Sequence, residues 1–332
     1  MSSMTRLIAA FALLVAFLSP LHAETGEVRI TKQPGLLYLP MILMETGKLV
    51  EKHAAAAGLG DVKTTWITFN SGGAATDALL SGNVDFVTSG ASNMLLLWDR
   101  TKGQVKGVAA CGGMPMYLLT RNPDIKTLKD FSAKDRIAVP TIKVSSQATI
   151  LQMAAEQEFG PGQAGKLDSI TLQLGHPDAT LSILSPQSEV NSHFSLPPYQ
   201  NIALKDPAVH KVLSSLDVFG GPVNNAIVFS TAKFHDANPK VMAAVMAALA
   251  EAMQMIKTEP KKAVDIYLSQ VKEKVSAEEL VAILAEPGVV FDVTPVGMQK
   301  FATFMAKAGT IKTAPASWKD FFFAEAHALN GT

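Results

Sequence analysis

A single cysteine, Cys111, stands among the 332 residues, so no intramolecular disulfide is available and stability has to come from packing. Its apolar setting, Val108-Ala109-Ala110-Cys111, reads as a small buried residue rather than a catalytic thiol. Charge of neither sign prevails. The 29 Lys and Arg face 29 Asp and Glu, which leaves no basic surplus to collect nucleic-acid phosphates or anionic lipid. Catalytic signatures are also missing: there is no Gly-x-Ser-x-Gly elbow, no Walker loop, and no Gly-x-Gly-x-x-Gly after the first strand. The seven His are scattered without a His-Glu-x-x-His, so neither a metal nor another cofactor is expected.

What is present begins with a leader. Arg6 precedes the apolar run Leu7–Leu18, followed by Ser19-Pro20 and Leu21-His22-Ala23. A basic start, a short apolar stretch and a small final residue have the pattern of a secretory signal peptide over residues 1–23. The run is too short for an ordinary membrane span. No Cys follows it to carry a lipid anchor, and no second long apolar stretch is read downstream. The mature chain is expected to start near Glu24, with 28 basic residues against 29 acidic. Its length suffices for two lobes with their own cores.

Strand-like segments alternate with helical ones, which implies α/β architecture with mainly parallel sheets covered by helices. Strands are read at Val28–Thr31, Thr64–Phe69, Val84–Thr88 and Val105–Cys111, with one helix over residues 41–56. A further strand at Met116–Arg121 opens a second series, in which Ser145-Ser146-Gln147 starts a helix running to about Phe159. The chain returns through a strand at Asn225–Ser230. Asn238 is read as the cap of a long helix over Val241–Ile256, Ser276-Ala277-Glu278-Glu279 as a capping box, and Thr294-Pro295 as another helix start. Two crossings between the series predict a two-segment hinge. Lobe I comprises residues 24–118 and 225–332, and lobe II residues 119–224.

Two stretches separated by 104 positions resemble each other without a gap. Residues 75–89 and 179–193 share Ala75/Ala179, Thr76/Thr180, Leu80/Leu184 and Ser81/Ser185, and Asp85 faces Glu189. Each reads as helix, turn and strand, with Ser89 and His193 at equivalent ends. Such a duplication suggests two similar lobes with a ligand cleft between them.

The loops at strand C-terminal ends are where open parallel sheets bind ligands. Three of them run into helices through small or hydroxyl residues: Ser71-Gly72-Gly73, Ser89-Gly90-Ala91-Ser92 and Ser145-Ser146-Gln147. A helix start offers unpaired backbone N–H groups and about half a positive charge, so such loops can hold a carboxylate, sulfonate or nitrate without arginine. Ordinary capping explains each serine equally well. His193 has two open roles, a hydrogen bond to ligand or the shaping of its loop, and Tyr199 beside it can pack against an organic ligand. His176 and Asp178 read as a helix cap rather than a metal pair.

Several segments, taken in order, resemble a known family. They are Gln33-Pro34-Gly35-Leu36-Leu37-Tyr38-Leu39-Pro40, Phe69-Asn70-Ser71-Gly72-Gly73, Leu80-Ser81-Gly82-Asn83-Val84-Asp85-Phe86, Ile137-Ala138-Val139-Pro140 and His193-Phe194-Ser195-Leu196-Pro197-Pro198-Tyr199. The resemblance is to periplasmic substrate-binding proteins of ABC importers, in the nitrate/sulfonate/taurine class related to the thiamine-pyrimidine-synthesis proteins. It implies the two-lobed type II periplasmic binding protein fold, closing on a small molecule. By resemblance the ligand loops contain Gly35, Leu36 and Tyr38; Ser71, Gly72 and Gly73; Ser89, Gly90 and Ser92; Ser145 and Ser146; and His193 and Tyr199.

The function so implied is non-catalytic. A monomeric periplasmic receptor captures a small organic anion and delivers it to an inner-membrane ABC permease. A pyrimidine or aromatic carboxylate is the alternative ligand, and a pyrimidine-synthase-like enzyme using His193 is the rival class. N-terminal sequencing of protein exported from a bacterial host should begin near residue 24; a chain retaining residues 1–23 would remove the leader.

Overall fold

The structure, a computed structural model, describes residues 24–272 and 275–332; the expected leader lies outside the described residues. The chain first builds β1 (Glu27–Lys32), a 3-10 turn at Leu36–Tyr38, α1 (Leu39–Thr46), α2 (Leu49–Ala56), β2 (Lys63–Thr68), α3 (Gly72–Leu80), β3 (Phe86–Gly90), α4 (Ala91–Arg100) and β4 (Val105–Gly112). A second series follows: β5 (Tyr117–Thr120), β6 (Ile137–Val139), α5 (Ser146–Phe159), β7 (Thr171–Gln173), α6 (His176–Leu184), β8 (Ser192–Ser195), α7 (Tyr199–Ala203), β9 (His210–Ser214) and α8 (Ser215–Phe219). The return runs through β10 (Ala226–Thr231), α9 (Ala232–Ala237), α10 (Pro239–Thr258), α11 (Pro260–Gln270), α12 (Ala277–Leu284) and α13 (Met298–Lys307).

Two five-stranded sheets result, ordered β2-β1-β3-β10-β4 and β7-β6-β8-β5-β9. Each has parallel pairing on one side and one reversed strand in fourth place: β10 runs antiparallel to β3 and β4, and β5 antiparallel to β8 and β9. The α/β, two-lobed architecture read from the sequence is therefore the one observed, with each sheet mixed rather than mainly parallel: two of its four pairings are parallel and two antiparallel. The reversed strands are the segments on which the chain enters the second sheet and rejoins the first. Strands β3 and β10 and the edge strand β4 are almost wholly buried, so their sequences lack the alternation of a half-exposed strand.

The duplication holds at the helices and shifts at the strands. The nine residues of α3 map onto the nine of α6 at the offset of 104. Between helix and strand, however, the first half uses residues 81–85 and the second 185–191, two more. Backbone pairing then matches Ile30↔Phe86 with Ile137↔Ser192. The N–H of Arg29 donates to the Asp85 carboxylate at 2.8 Å, and the N–H of Arg136 donates to Asn191 Oδ1 at 3.1 Å. Asp85 thus corresponds to Asn191 rather than Glu189, and Ser89 to Ser195 rather than His193.

Local departures from the sequence reading have specific causes. The helix read over 41–56 is two helices, because Gly47 and Lys48 (φ 47°) turn the chain between Thr46 and Leu49. Asn238 does not cap α10 with its side chain, which instead bonds Thr25 N and Phe234 O. The Glu24 carboxylate accepts from Lys240 N and Val241 N in its place, at 3.0 and 2.8 Å. Ser276 accepts from Glu279 N, but Glu279 turns away to Lys205, so the box is half made. The helix expected from Thr294-Pro295 begins at Met298, since Val296 N is committed to Asn224 Oδ1 at 2.6 Å. Helix α10 is long and apolar enough to cross a membrane, yet half of that window is buried, with Val241, Ala248, Leu249 and Ala252 in the core.

The crossings are clasped by one residue. Asn225 donates its amide to Met114 O at 2.7 Å and accepts from Met114 N at 3.3 Å. Its backbone carbonyl receives Ala91 N, at the start of α4, and Ser146 Oγ, at the start of α5. Replacing Asn225 by Ala leaves both Met114 polar groups buried and unpaired, which should cost about 3 kcal/mol. A lowered urea midpoint reads that loss; an unchanged midpoint would make the clasp incidental.

Candidate functional site

Four helices start at one place. Helices α3 and α4 follow β2 and β3 of the first sheet, while α5 and α6 follow β6 and β7 of the second. Gly72, Gly90, Ser145, Ser146 and His176, at those four starts, line a single cavity of about 20 Å³ together with Gln33, Tyr38, Asn93 and Gln147. Among the described residues, no Lys, Arg, Asp or Glu lines it. Its polarity therefore comes from neutral donors and from the positive ends of the helices, an environment that favours an anion.

The serines divide by use. Ser71 Oγ and Ser145 Oγ are spent as caps, accepting from Ala74 N and Ala148 N. Ser146 Oγ is held by Asn225 O at 3.0 Å. Ser89 Oγ is fully buried and without a partner, and so are Ser92 Oγ and Ser195 Oγ, the last being the counterpart of Ser89. An unpaired buried hydroxyl is destabilising, so one that faces a cavity is a group awaiting a partner. Glycine at 72 makes this approach possible, since a Cβ there would sit 2.2 Å from Ser89 Oγ. Burial pushes the Tyr38 hydroxyl far above its ordinary pKa, so it remains a neutral group.

The halves meet directly around this cavity. Gly73 N donates to Thr141 Oγ1 at 3.2 Å, and Leu36 N to Pro197 O at 3.0 Å. A Cβ on Gly90 would lie 3.2 Å from Ser146 N. The arrangement is closed, with room for about one water.

Behind the cavity lies a chain of imidazoles. His193 Nε2 and His176 Nδ1 are 2.9 Å apart, and His176 Nε2 lies 3.1 Å from Gln147 Nε2. With the Gln147 amide nitrogen as donor, His176 Nε2 accepts and its Nδ1–H donates to His193, so both rings are neutral. Desolvation drives the His176 pKa down to about 3, and His193 goes well below its usual value through burial and its neighbour. Tyr199 stacks on His176 at 5.9 Å with an interplanar angle of 14°.

A second, larger cavity of about 640 Å³ adjoins the first, and Gln33 lines both. Of the thirteen residues expected at the ligand loops, Tyr38, Gly72, Ser89, Gly90, Ser145 and Ser146 line the small cavity, and Gly35 and Tyr199 line the large one. Leu36 and Gly73 form contacts between the halves, Ser71 caps, Ser92 is buried within α4, and His193 stands behind His176. Gln33, Asn93, Gln147 and His176 were missed as lining residues. For His176 the signal was present, because offset 104 places it opposite Gly72.

No family model and no curated protein sequence matches this chain. Solved structures do. The alkanesulfonate-binding protein SsuA of Xanthomonas axonopodis pv. citri, bound to MOPS, superposes with a TM-score of 0.68 at 17% identity, over 93% of this chain and 100% of its own. The periplasmic nitrate-binding protein NrtA of Synechocystis PCC 6803 gives 0.66 at 15%, over 92% and 86%. The Candida albicans CA3427 product, described as having the generic periplasmic binding protein fold, gives 0.66 at 14%, over 92% and 96%. The chain has the periplasmic binding protein fold. Sulfonate- and nitrate-binding proteins of the class suspected from the sequence are among the structures that share it.

Neutral burial of His176 sets a pH dependence. Between pH 6.5 and about 3 the unfolded chain protonates this ring while the folded one does not, so stability falls as pH drops through that window. At pH 5 the loss from His176 should be roughly 2 kcal/mol relative to pH 8. Urea midpoints across this range measure it, and His176→Gln should flatten the curve; an unflattened curve would assign the acid sensitivity elsewhere.

Proposed function

We propose that the protein is an extracytoplasmic solute-binding receptor that captures a small organic anion, of sulfonate or taurine type, and delivers it to an ABC permease. The observation that carries this reading is the convergence of four helix starts on a neutral buried cavity faced by the unpartnered Ser89 hydroxyl. An anion there receives backbone N–H groups, helix-end charge and the Ser89 O–H without any cation. The fold supports the same reading, as do the sulfonate and nitrate binders among its structural neighbours.

The mechanism is population shift. Lobe I (24–118 and 225–332) and lobe II (119–224) part about the Asn225 clasp, admit ligand, and close with the anion bridging helix starts from both sheets. Residues 1–23 direct export to the periplasm, and the receptor works as a monomer without a cofactor. It is not an enzyme: the polar groups of the cavity are neutral donors suited to holding. A pyrimidine or aromatic carboxylate is the second reading, favoured by the Tyr199 ring stacked on His176.

Ser89→Ala separates function from structure. Removing an unpaired buried hydroxyl should leave the free protein as stable or more so, while a sulfonate ligand loses about tenfold in affinity. Calorimetric titration with ethanesulfonate or taurine, alongside thermal melts, reads both. Unchanged affinity would sink the helix-start anion site.

A further inference from the structure

The small cavity favours an anion, yet among the described residues its lining brings no fixed cation. The titratable side chains there are Tyr38 and His176. A phenol can lose a proton but does not gain one, so His176 is the lining group able to bring positive charge into this space. An anion shut into a closed site without a countercharge is costly, and helix ends offset that cost only in part.

Three features prepare the His176 ring to carry a second proton. Its Nδ1 lies 2.9 Å from His193 Nε2, which accepts the Nδ1–H. Its Nε2 lies 3.1 Å from the side-chain amide of Gln147. Towards the neutral ring that amide donates; after half a turn it presents Oε1 and accepts from an Nε2–H. Rotation of one amide therefore gives an imidazolium at 176 an acceptor for each N–H. The same rotation frees the Gln147 NH2, on a residue that lines the cavity. The third feature is the Tyr199 ring, stacked on His176 at 5.9 Å and 14°, since an aromatic face favours a cation.

What keeps the ring neutral in the free protein is equally local. Helix α7 and strands β8 and β6 pack against α6. The titratable groups on these three elements are Tyr199 and His193, while β6 is Ile137-Ala138-Val139. Asp178, on α6 itself, is exposed. The His176 pKa is accordingly lowered by burial, with no carboxylate opposing it. His176 is also the first residue of α6, where the helix end repels a proton. An anion at the helix starts screens that end and supplies the missing partner.

We propose that anion binding draws one proton from solvent onto His176, which becomes the conditional cation of the site and couples capture to pH. By linkage, proton and anion raise each other's affinity by the same factor. Capture is thus tighter in acid and looser in alkali. This inference rests on the anion-receptor reading and adds a charge-balancing residue to it.

The test is calorimetric titration of the full mature chain with ethanesulfonate, whose own charge is constant from weak acid to weak base. Repeating it in buffers of different ionisation enthalpy counts the protons taken up. About one proton per ligand is expected near pH 6, with affinity falling by up to about tenfold per pH unit as pH rises. His176→Gln should abolish the uptake and flatten the affinity profile. Should that variant fail to fold, heteronuclear NMR of the wild-type chain reads the same event. Coupling across the His176–His193 hydrogen bond identifies the pair, and both ring nitrogens of His176 should move to imidazolium positions when ethanesulfonate is added. Binding without proton uptake overturns the coupling and leaves the anion site standing. Uptake that survives His176→Gln places the proton on another group and overturns the proposal as well. If ethanesulfonate, taurine and nitrate all fail to bind, the anion-receptor reading falls together with this inference.

Discussion

Asn225 is 1% exposed where β10 rejoins the first sheet, and its polar atoms make five hydrogen bonds at once, one of them from its N–H to Gly112 O. Its amide binds both backbone groups of Met114 on the outgoing crossing, and its carbonyl takes Ala91 N from α4 and Ser146 Oγ from α5. The hinge, the last strand of the first sheet and two of the four helix starts are therefore fixed relative to one another by one buried side chain and its carbonyl. Such a network is strong only when fully satisfied, and here every bond has its partner. The site inherits its geometry from that clasp.

Two kinds of polar group meet at the cavity, and their difference explains the division of labour. Ser71, Ser145 and Ser146 have internal partners and hold the frame. Ser89 has none and lines the cavity. The imidazoles of His176 and His193 stay neutral because burial makes charging them costly, so they add direction without adding charge. Selectivity in such a cavity depends on shape and on which donors remain free.

Local chemistry made part of this legible in the sequence. Ser145 announced the helix that runs from Ser146 to Phe159, and Ser71 announced α3, because capping is a short-range interaction written in adjacent residues. The α/β alternation and the double crossing followed from periodicity and turn residues. Long-range partners were not legible. Nothing near Asn238 says that Glu24 will take its cap, and nothing near His193 says that His176 will screen it from the cavity. The ungapped duplication misled at the strand, where two extra residues move Ser195 into the position of Ser89. Leu181 of α6 was visible as a residue, but the large cavity it lines exists only after both halves come together.

The strand order also dictates when each half can be finished. The second sheet is complete within residues 117–214, and all five of its strands lie close in sequence. The first sheet has a gap between β3 and β4 until residues 226–231 arrive to fill it. Through the making of residues 113–225, two apolar strands therefore present unpaired edges toward each other, the condition under which β-chains pair wrongly. The half that begins first is the half that ends last, and a helper that shields strand edges has most to do for this protein in that interval.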